Sequence, residues 1–389
     1  MTNTRAARHA GPALTVVGLG AAGASLAWRL VDAGVPFEVV EAPRAADVRS
    51  PDRTWSTWGA TGPGPFGHLV SASWPRVRLV APDGAVVTAD LGSWRYRSLH
   101  SHDLDRAVRA KLAAAGVPVH ERVLTGPAPV PAVDTRPVPV PTDGRTLLWQ
   151  HFLGHRVRAR RPVFDPATAT LMDFRTPQPA GGVAFGYVLP TSTTEALVEY
   201  TEFSADLLTD AGYRDRLGEF LQRSGTGPHE VLGEERGVIP MTDARFPASG
   251  EPGVLRWGAN AGSIRPSTGY SFTTLQRQAD ALAAQVVAHG PQGLALPPPH
   301  RRRHLLMDSL VLQALTSGRV DGAVFFVDLF RRNPVHRVLG FLDGTTTPAQ
   351  DVALMATSPR AAMLSTVLSR VGFRGSLSLD PPHGDPGGA

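Results

Sequence analysis

A chain of 389 residues is longer than one hydrophobic core usually serves, so two regions sharing a cleft are expected. Its 42% hydrophobic and 19% charged residues describe a globular chain, and the absence of cysteine excludes disulfides, thiolate metal sites and a cysteine nucleophile. The net charge of +5 rests almost wholly on arginine, Lys111 being the only lysine, and no basic stripe interleaves with aromatics, so nucleic acid is not an expected partner.

Residues 13–18 read as a buried strand, 22–33 as a helix and 37–41 as a second strand. Gly18-Leu19-Gly20-Ala21-Ala22-Gly23 joins the first two, a GxGxxG in the strand–turn–helix context that gives the motif meaning. Gly18 suits the tight turn, Gly20 lets the helix N-terminus approach a diphosphate, and Gly23 lets helix and strand pack closely. Glu41 ends the second strand about 20 residues further on, where a carboxylate can take both ribose hydroxyls and disfavours a 2′-phosphate.

The stretch 43–58 is polar and reads as a loop. Runs at 77–80 and 86–91 predict a hairpin turning at Asp83-Gly84. A helix over 103–115, capped by Ser101 or His102, stops at Gly116. Prolines at nearly every second position keep 127–141 extended. Short strands dominate 147–240, most clearly 183–189 and 196–201, with a helix over 213–224 between them and the later strands. A strand at 254–257 leads into a Gly-rich loop and a helix over 271–288, after which Pro297-Pro298-Pro299 reads as a linker. Stretches 304–315, 322–330 and 349–368 read as apolar helices, and the tail from Pro381 as frayed. No apolar run reaches the roughly 18 residues of a spanning helix, and residues 1–12 lack the apolar core of a signal peptide. A cytoplasmic protein is therefore expected, with arginines beside the apolar helices suiting contact with a membrane surface.

The glycine motif alone fits FAD or NAD. Two later features tilt it towards FAD: Ala132-Val133-Asp134-Thr135-Arg136, a strand end that puts Asp134 near the cofactor, and Gly258-Ala259-Asn260-Ala261-Gly262, which feeds a helix through Gly262. Flavoprotein hydroxylases usually carry GDAA in the latter loop, and here no Asp is present. The expected fold is α/β: a Rossmann-type FAD-binding domain of flavoprotein hydroxylase-like architecture, an interleaved β-rich substrate domain and a C-terminal helical layer. The corresponding division is 13–145 and 241–292 for FAD, 146–240 for substrate, 293–375 for the helical region and 376–389 for a flexible tail.

Further motifs follow in a specific order. They are Arg53-Thr54-Trp55-Ser56, Gln150-His151-Phe152-Leu153-Gly154, Leu171-Met172-Asp173-Phe174 and Phe185-Gly186-Tyr187-Val188-Leu189-Pro190. Leu197-Val198-Glu199-Tyr200-Thr201, Gly237-Val238-Ile239-Pro240 and Arg265-Pro266-Ser267-Thr268-Gly269-Tyr270-Ser271 complete the series. Together they resemble the lycopene cyclases of carotenoid biosynthesis, including the plant β- and ε-cyclases, from Val16 to about Leu368. The family's acidic strand usually carries two adjacent carboxylates; here Glu199 keeps the first position and Tyr200 replaces the second.

The resemblance implies an isomerisation of a hydrophobic isoprenoid such as lycopene. An acid protonates a terminal alkene, an internal alkene captures the cation, and proton loss leaves a cyclohexene ring. It also implies reduced FAD, with NAD(P)H serving as reductant only. Protonating an alkene needs a carboxylic acid kept neutral by an apolar site. Glu199 is the expected acid, sharing a strand face with Leu197 and Thr201, and Asp173 is the second catalytic candidate. Arg53 and Thr54 are expected beside the flavin, Pro266, Thr268 and Gly269 present backbone groups to it, and Ser271 caps the next helix. No metal ligand set is expected. A related cyclase acting on a prenylated aromatic and an FAD-dependent monooxygenase are the competing readings.

Overall fold

The computed structural model describes residues 13–45, 52–144, 146–247 and 251–370. The first half of the chain forms β1 Leu14–Val17, α1 Ala21–Asp32, β2 Phe37–Glu41, β3 Thr54–Gly59, β4 Val70–Trp74, β5 Arg76–Val80 and β6 Val86–Asp90. There follow β7 Arg95–His100, α2 Ser101–Ala114, β8 Val119–Glu121, β9 Ala132–Asp134, β10 Leu147–Ala159, β11 Thr168–Asp173, β12 Val183–Pro190 and β13 Glu195–Ser204. The remainder is α3 Asp210–Arg223, β14 His229–Thr242, β15 Val254–Arg256, α4 Phe272–His289, α5 Arg302–Thr316, α6 Gly322–Arg331, α7 Val335–Leu342, α8 Pro348–Met355 and α9 Arg360–Arg370.

A parallel five-stranded sheet runs β15–β9–β1–β2–β8. Its strands are short and apolar because helices cover them: Leu26 and Leu30 of α1, Val108 of α2 and Leu275 and Leu282 of α4 share one core with Val16 and Val39. This is the Rossmann-type half. A second, seven-stranded sheet runs β14–β10–β13–β12–β11–β5–β6, antiparallel except for β11 with β5. The division drawn from the sequence left 76–90 in the nucleotide half; β5 and β6 instead extend this second sheet. Strands β3, β7 and β4 form a small antiparallel sheet.

Strand alternation sorts the second sheet into two faces. Ala196, Val198 and Tyr200 of β13 join Ala184 and Val188 of β12 beneath Tyr213, Leu217 and Phe220 of α3. Leu197 and Phe203, with Phe185 and Leu189, pack on the opposite face against Leu312 and Leu315 of α5 and Phe325 and Phe326 of α6. One buried ion pair fixes the loop after β15 to this helical layer. Arg265 Nε and Nη2 meet the Asp308 carboxylate at 2.6 and 3.1 Å, Arg265 Nη1 donates to Phe341 O at 2.7 Å, and Ser267 Oγ donates to Asp308 at 2.7 Å.

Several expectations are corrected. Thr54–Gly59 is a strand and not a loop, since Thr54-Trp55-Ser56-Thr57-Trp58 supplies the β-branched and aromatic residues that suit a ladder; residues 46–51 lie outside the described set. Helix α2 starts at Ser101 without a side-chain cap, because Ser101 Oγ accepts the Arg53 N–H at 2.9 Å. Ser271 likewise stands before α4 with no side-chain cap bond. The expected helix over 349–368 is two, parted at Pro359, which cannot continue a helix, and α7 was not foreseen. The tail beyond 370 lies outside the described residues. The apolar side of α6 is turned inward: Phe325, Phe326, Leu329 and Phe330 are buried, with Val324 exposed. Among the described residues no helix is long and apolar enough to cross a membrane.

Candidate active site

A cavity of about 890 Å³ lies between the carboxyl edge of the parallel sheet and the inner face of the seven-stranded sheet, the place where open α/β sheets take ligands. One end is built on the glycine motif. Gly18 has φ +90° and closes against Thr135: a Cβ on Gly18 would sit 2.5 Å from Thr135 Oγ1. A Cβ on Gly23 would lie 1.8 Å from Gly18 O, so this glycine sets helix-to-strand distance. Gly20 differs, since among the described residues a Cβ there would meet no atom within 4 Å beyond its chain neighbours. Gly18, Gly20 and Glu41 line the cavity, and Glu41 accepts the Leu19 N–H, holding the turn in place. The N–H groups of the first turn of α1 lack intrahelical acceptors and carry the positive end of the helix dipole.

The other sequence candidates separate into two sets. Arg53, Thr54, Thr268 and Gly269 line the cavity. Asp134, Gly262 and Pro266 do not. The Asp134 carboxylate is turned to Arg136, which it meets at 2.6 Å, while its neighbours Thr135 and Arg136 reach the wall. Gly262 serves a left-handed turn at φ +99°, and Gly258 is the glycine that lines the wall. Asp173 also lies off the cavity; Arg175 binds its carboxylate at 2.9 and 2.6 Å, leaving no free acid there. Trp55 lines the cavity and stacks on Phe272 with centroids 5.6 Å apart.

Two polar atoms in this wall are buried without a hydrogen-bond partner among the described residues: Arg53 Nε and Gln150 Oε1. Burial lowers the Arg53 pKa below the ordinary guanidinium value, with Glu235 opposing. Gln150 lies against Gly269, whose Cβ would stand 1.9 Å from Oε1, so φ +73° and the lack of a side chain both matter there. An orphan donor and an orphan acceptor beside an open glycine turn fit a ligand that carries phosphates and hydrogen-bonding ring edges.

Glu199 also stands in this wall. It is 8% exposed, lines the cavity and accepts the Thr201 hydroxyl on Oε1 at 2.5 Å. Its carboxyl is pushed up to about 8: burial is the main cause, the charge of Glu235 adds to it, and the Thr201 bond opposes. Phe185, Phe326, Leu329 and Phe330 line the same cavity. Such a group is a neutral acid at neutral pH, the form that can give a proton to a weakly basic carbon.

Sequence reasoning missed three contributors here. Glu235 is buried, accepts Thr54 N–H at 2.6 Å and Thr54 Oγ1–H at 2.9 Å, and titrates above its usual range through burial. Tyr187 and Tyr270 line the cavity and share hydroxyl bonds with Tyr96 at 2.6 and 3.1 Å. Tyr187 was legible in retrospect, because its motif carries one polar aromatic in an otherwise apolar strand. Tyr200 faces the other way, beneath α3, and donates to Glu202 at 2.7 Å.

Fold and site together define a protein of the flavoprotein hydroxylase-like architecture. Solved structures of that shape include Klebsiella pneumoniae HpxO complexed with FAD and uric acid, at TM-score 0.58 and 14% identity over 90% of this chain and 99% of that one. A geranylgeranyl bacteriochlorophyll reductase-like protein from Thermoplasma acidophilum gives TM-score 0.54 and 14% identity, covering 92% and 96%. Residues 13–368 match the family described as lycopene cyclase protein, and the chain belongs to that family. A carotenoid cyclase of Deinococcus radiodurans, itself uncharacterized, is 35% identical over 159 residues, 40% of this chain and 38% of that one. A lycopene beta-cyclase of Pseudescherichia vulneris is 32% identical over 139 residues, 35% and 36% of the two chains. The chain thus spans well under half the length of the curated relatives it matches.

Proposed function

We propose that this protein is a flavin-dependent, non-redox carotenoid cyclase. Glu199 gives its proton to the terminal alkene of a linear isoprenoid such as lycopene. The internal alkene attacks the tertiary cation, and loss of one ring proton leaves a cyclohexene. The observation that carries this reading is a carboxyl kept neutral to about pH 8 in the wall of a cavity bordered by phenylalanines. The ring faces of Phe185, Tyr187, Tyr270 and Phe326 are suited to a passing positive charge. Exclusion of bulk water by the α6 side chains keeps the cation from being quenched.

FAD is the cofactor assigned to the glycine end. Gly18, Gly20 and the first turn of α1 would take its diphosphate and Glu41 its ribose, while Arg53 Nε and Gln150 Oε1 offer the remaining polar partners. Bound in its reduced form, FAD would supply electron density that offsets a developing positive charge, and NAD(P)H would serve only to keep it reduced. Substrate and product have one composition, so no reducing equivalent is consumed in the cyclisation. The location that suits such a substrate is cytoplasmic with contact at a membrane surface, for which exposed Val324 and Arg332 on and beside α6 are the assigned patch.

Expression in a lycopene-accumulating bacterium tests the reading. The expected product has the mass of lycopene and absorbs at shorter wavelength, since ring closure twists the terminal double bond out of the polyene plane or takes it out of conjugation. A product heavier by one oxygen atom would instead identify a monooxygenase.

A further inference from the structure

Four hydroxyl groups from four separated segments meet beside Glu199. Ser56 of β3 is bonded to Tyr187 of β12 at 2.8 Å, Tyr187 to Tyr96 of β7 at 2.6 Å, and Tyr96 to Tyr270, in the loop before α4, at 3.1 Å. The chain is continuous, and its middle is sealed. Tyr96 is 0% exposed and takes no part in the cavity wall, whereas Ser56, Tyr187 and Tyr270 all line it. Trp58 clamps the arrangement, stacked on Tyr96 with centroids 5.8 Å apart and set edge-on to Tyr270 at 4.6 Å. In the ladder between β12 and β13, Tyr187 stands directly opposite Glu199, so the two side chains leave the sheet on one face with Cβ atoms roughly 5 Å apart.

A packed tyrosine needs one partner for its hydroxyl, and a buried site that wanted only ring faces would use phenylalanine at lower desolvation cost. Three tyrosines in file, both ends open to one cavity, offer something more: a path along which a proton passes without any group leaving its neutral state. Burial disfavours the phenolate form of Tyr96, Tyr187 and Tyr270 alike, each titrating well above its ordinary value. A relay here must therefore be concerted.

We propose that Tyr270, Tyr96 and Tyr187 form the relay that takes the proton released on ring closure and returns it to Glu199. The idea rests on Glu199 being the acid of a cyclisation. After Glu199 has protonated the alkene, it is a carboxylate and the substrate a ring cation. A C–H bond next to the cationic carbon breaks, its electron pair becomes the ring double bond, and the proton moves to the Tyr270 hydroxyl oxygen. Tyr270 passes its own proton to Tyr96 and Tyr96 to Tyr187; the hydroxyl of Tyr187 is bonded to Ser56 and Tyr96, and transfer of its proton to the Glu199 carboxylate opposite it in the ladder is the step the proposal adds. The acid is restored, no electron is gained or lost, and one proton has entered and left the substrate. Tyr96 acts only through its neighbours and is a positioning residue.

The test compares Tyr96→Phe, Tyr187→Phe and the double variant with the parent on lycopene in phospholipid vesicles with reduced FAD, alongside Glu199→Gln. Each single tyrosine variant keeps its ring and loses one link. The relay predicts a fall in kcat of at least about tenfold with KM unchanged, as for loss of an acid–base group. It also predicts that the double variant is no slower than the slower single one, because a broken chain cannot be broken twice. Full activity of Tyr96→Phe, or losses that multiply in the double variant, overturns the relay. If Tyr96→Phe melts too low to assay, Tyr270→Phe at the cavity end takes its place under the same two outcomes. Inactive Glu199→Gln beside fully active Tyr96→Phe overturns the relay alone; fully active Glu199→Gln overturns the acid and the proposed function with it.

Discussion

Glu199 and Glu235 flank Gly154: this residue of β10 pairs with Glu199 in β13 on one side and with Glu235 in β14 on the other. The glycine puts no side chain between two carboxyl groups that are each 8% exposed. A Cβ at Gly154 would press within 3.4 Å of Glu199 Cβ and Cγ, so the space that lets Glu199 lie flat is made by that glycine. Burial is the main reason Glu199 keeps its proton, and the charge of Glu235 adds to it; burial alone raises Glu235.

Glu235→Gln removes this charge from beside Glu199 while keeping an acceptor for Thr54. Glu199 faces Glu235 from β14, Tyr187 from β12 and Tyr270 from the loop before α4, and of these only Glu235 carries a negative charge that raises it. The glutamine should let Glu199 ionise at lower pH. The alkaline limb of the pH–kcat profile should then move down from about pH 8, and a limb that stays in place would separate the two residues.

Glu199→Gln should abolish cyclisation, a loss of about 10²-fold or more, with FAD content retained. Stability should respond in the opposite sense. An unfolded glutamate titrates near about 4.3, while the folded Glu199 holds its proton to about 8. Between those values the native state binds the extra proton, so parent stability falls as pH rises through the window. The glutamine does not titrate. Its melting temperature should therefore gain on the parent's from about pH 5 to pH 8, by an amount worth on the order of a few kcal/mol, with the two curves meeting in acid.

Gly20→Val should leave a folded chain without flavin. Among the described residues, no atom beyond its chain neighbours lies within 4 Å of the position a Cβ would take, and the residue's φ of −65° suits any side chain. The valine would fill only the space assigned to the diphosphate. Flavin fluorescence released on denaturing the purified variant decides the matter, and parent-level flavin would remove the cofactor assignment. Gly23→Val, by contrast, should fail to fold, given 1.8 Å to Gly18 O.

Tyr200→Asp restores the acidic pair expected at this strand from the family resemblance, yet it should not add an acid to the cavity. Tyr200 packs with Tyr213, Leu217 and Phe220 on the far face. An aspartate there loses the ring and buries a charge near Glu202, a change worth on the order of 3–5 kcal/mol of destabilisation. Denaturant titration and activity measured together test this; a stable variant with raised turnover would contradict it.

How much of this was legible in the chain differs by residue type. Gly18, Gly20 and Glu41 were readable because the nucleotide turn imposes itself locally, within one βαβ unit. Glu199 followed from resemblance and strand alternation together. Asp173 and Asp134 stand off the cavity and share one feature: each is followed two positions later by an arginine, Arg175 and Arg136, that folds back onto the carboxylate. That spacing is visible in the sequence. Tyr187 could have been picked from its motif, but Glu235 and the bonding of Tyr187 to Tyr96 and Tyr270 could not, since β14, β3, β7 and β12 lie far apart along the chain and only register brings Gly154, Glu199, Glu235 and Tyr187 into one row.

The inward-facing side of α6 has a consequence for how such a protein can change. The proton donor and its neighbours stand on strands, locked by ladder register, whereas Phe326, Leu329 and Phe330 reach the chamber from a ten-residue helix. Their spacing of three and four along the helix lets each be trimmed or enlarged without shifting a strand. On the proposed reading, guest length and girth would answer to one part of the molecule and reactivity to another. A lineage, or a designer, could then retune which polyene is accepted by rewriting a single turn of helix while Glu199 stays untouched.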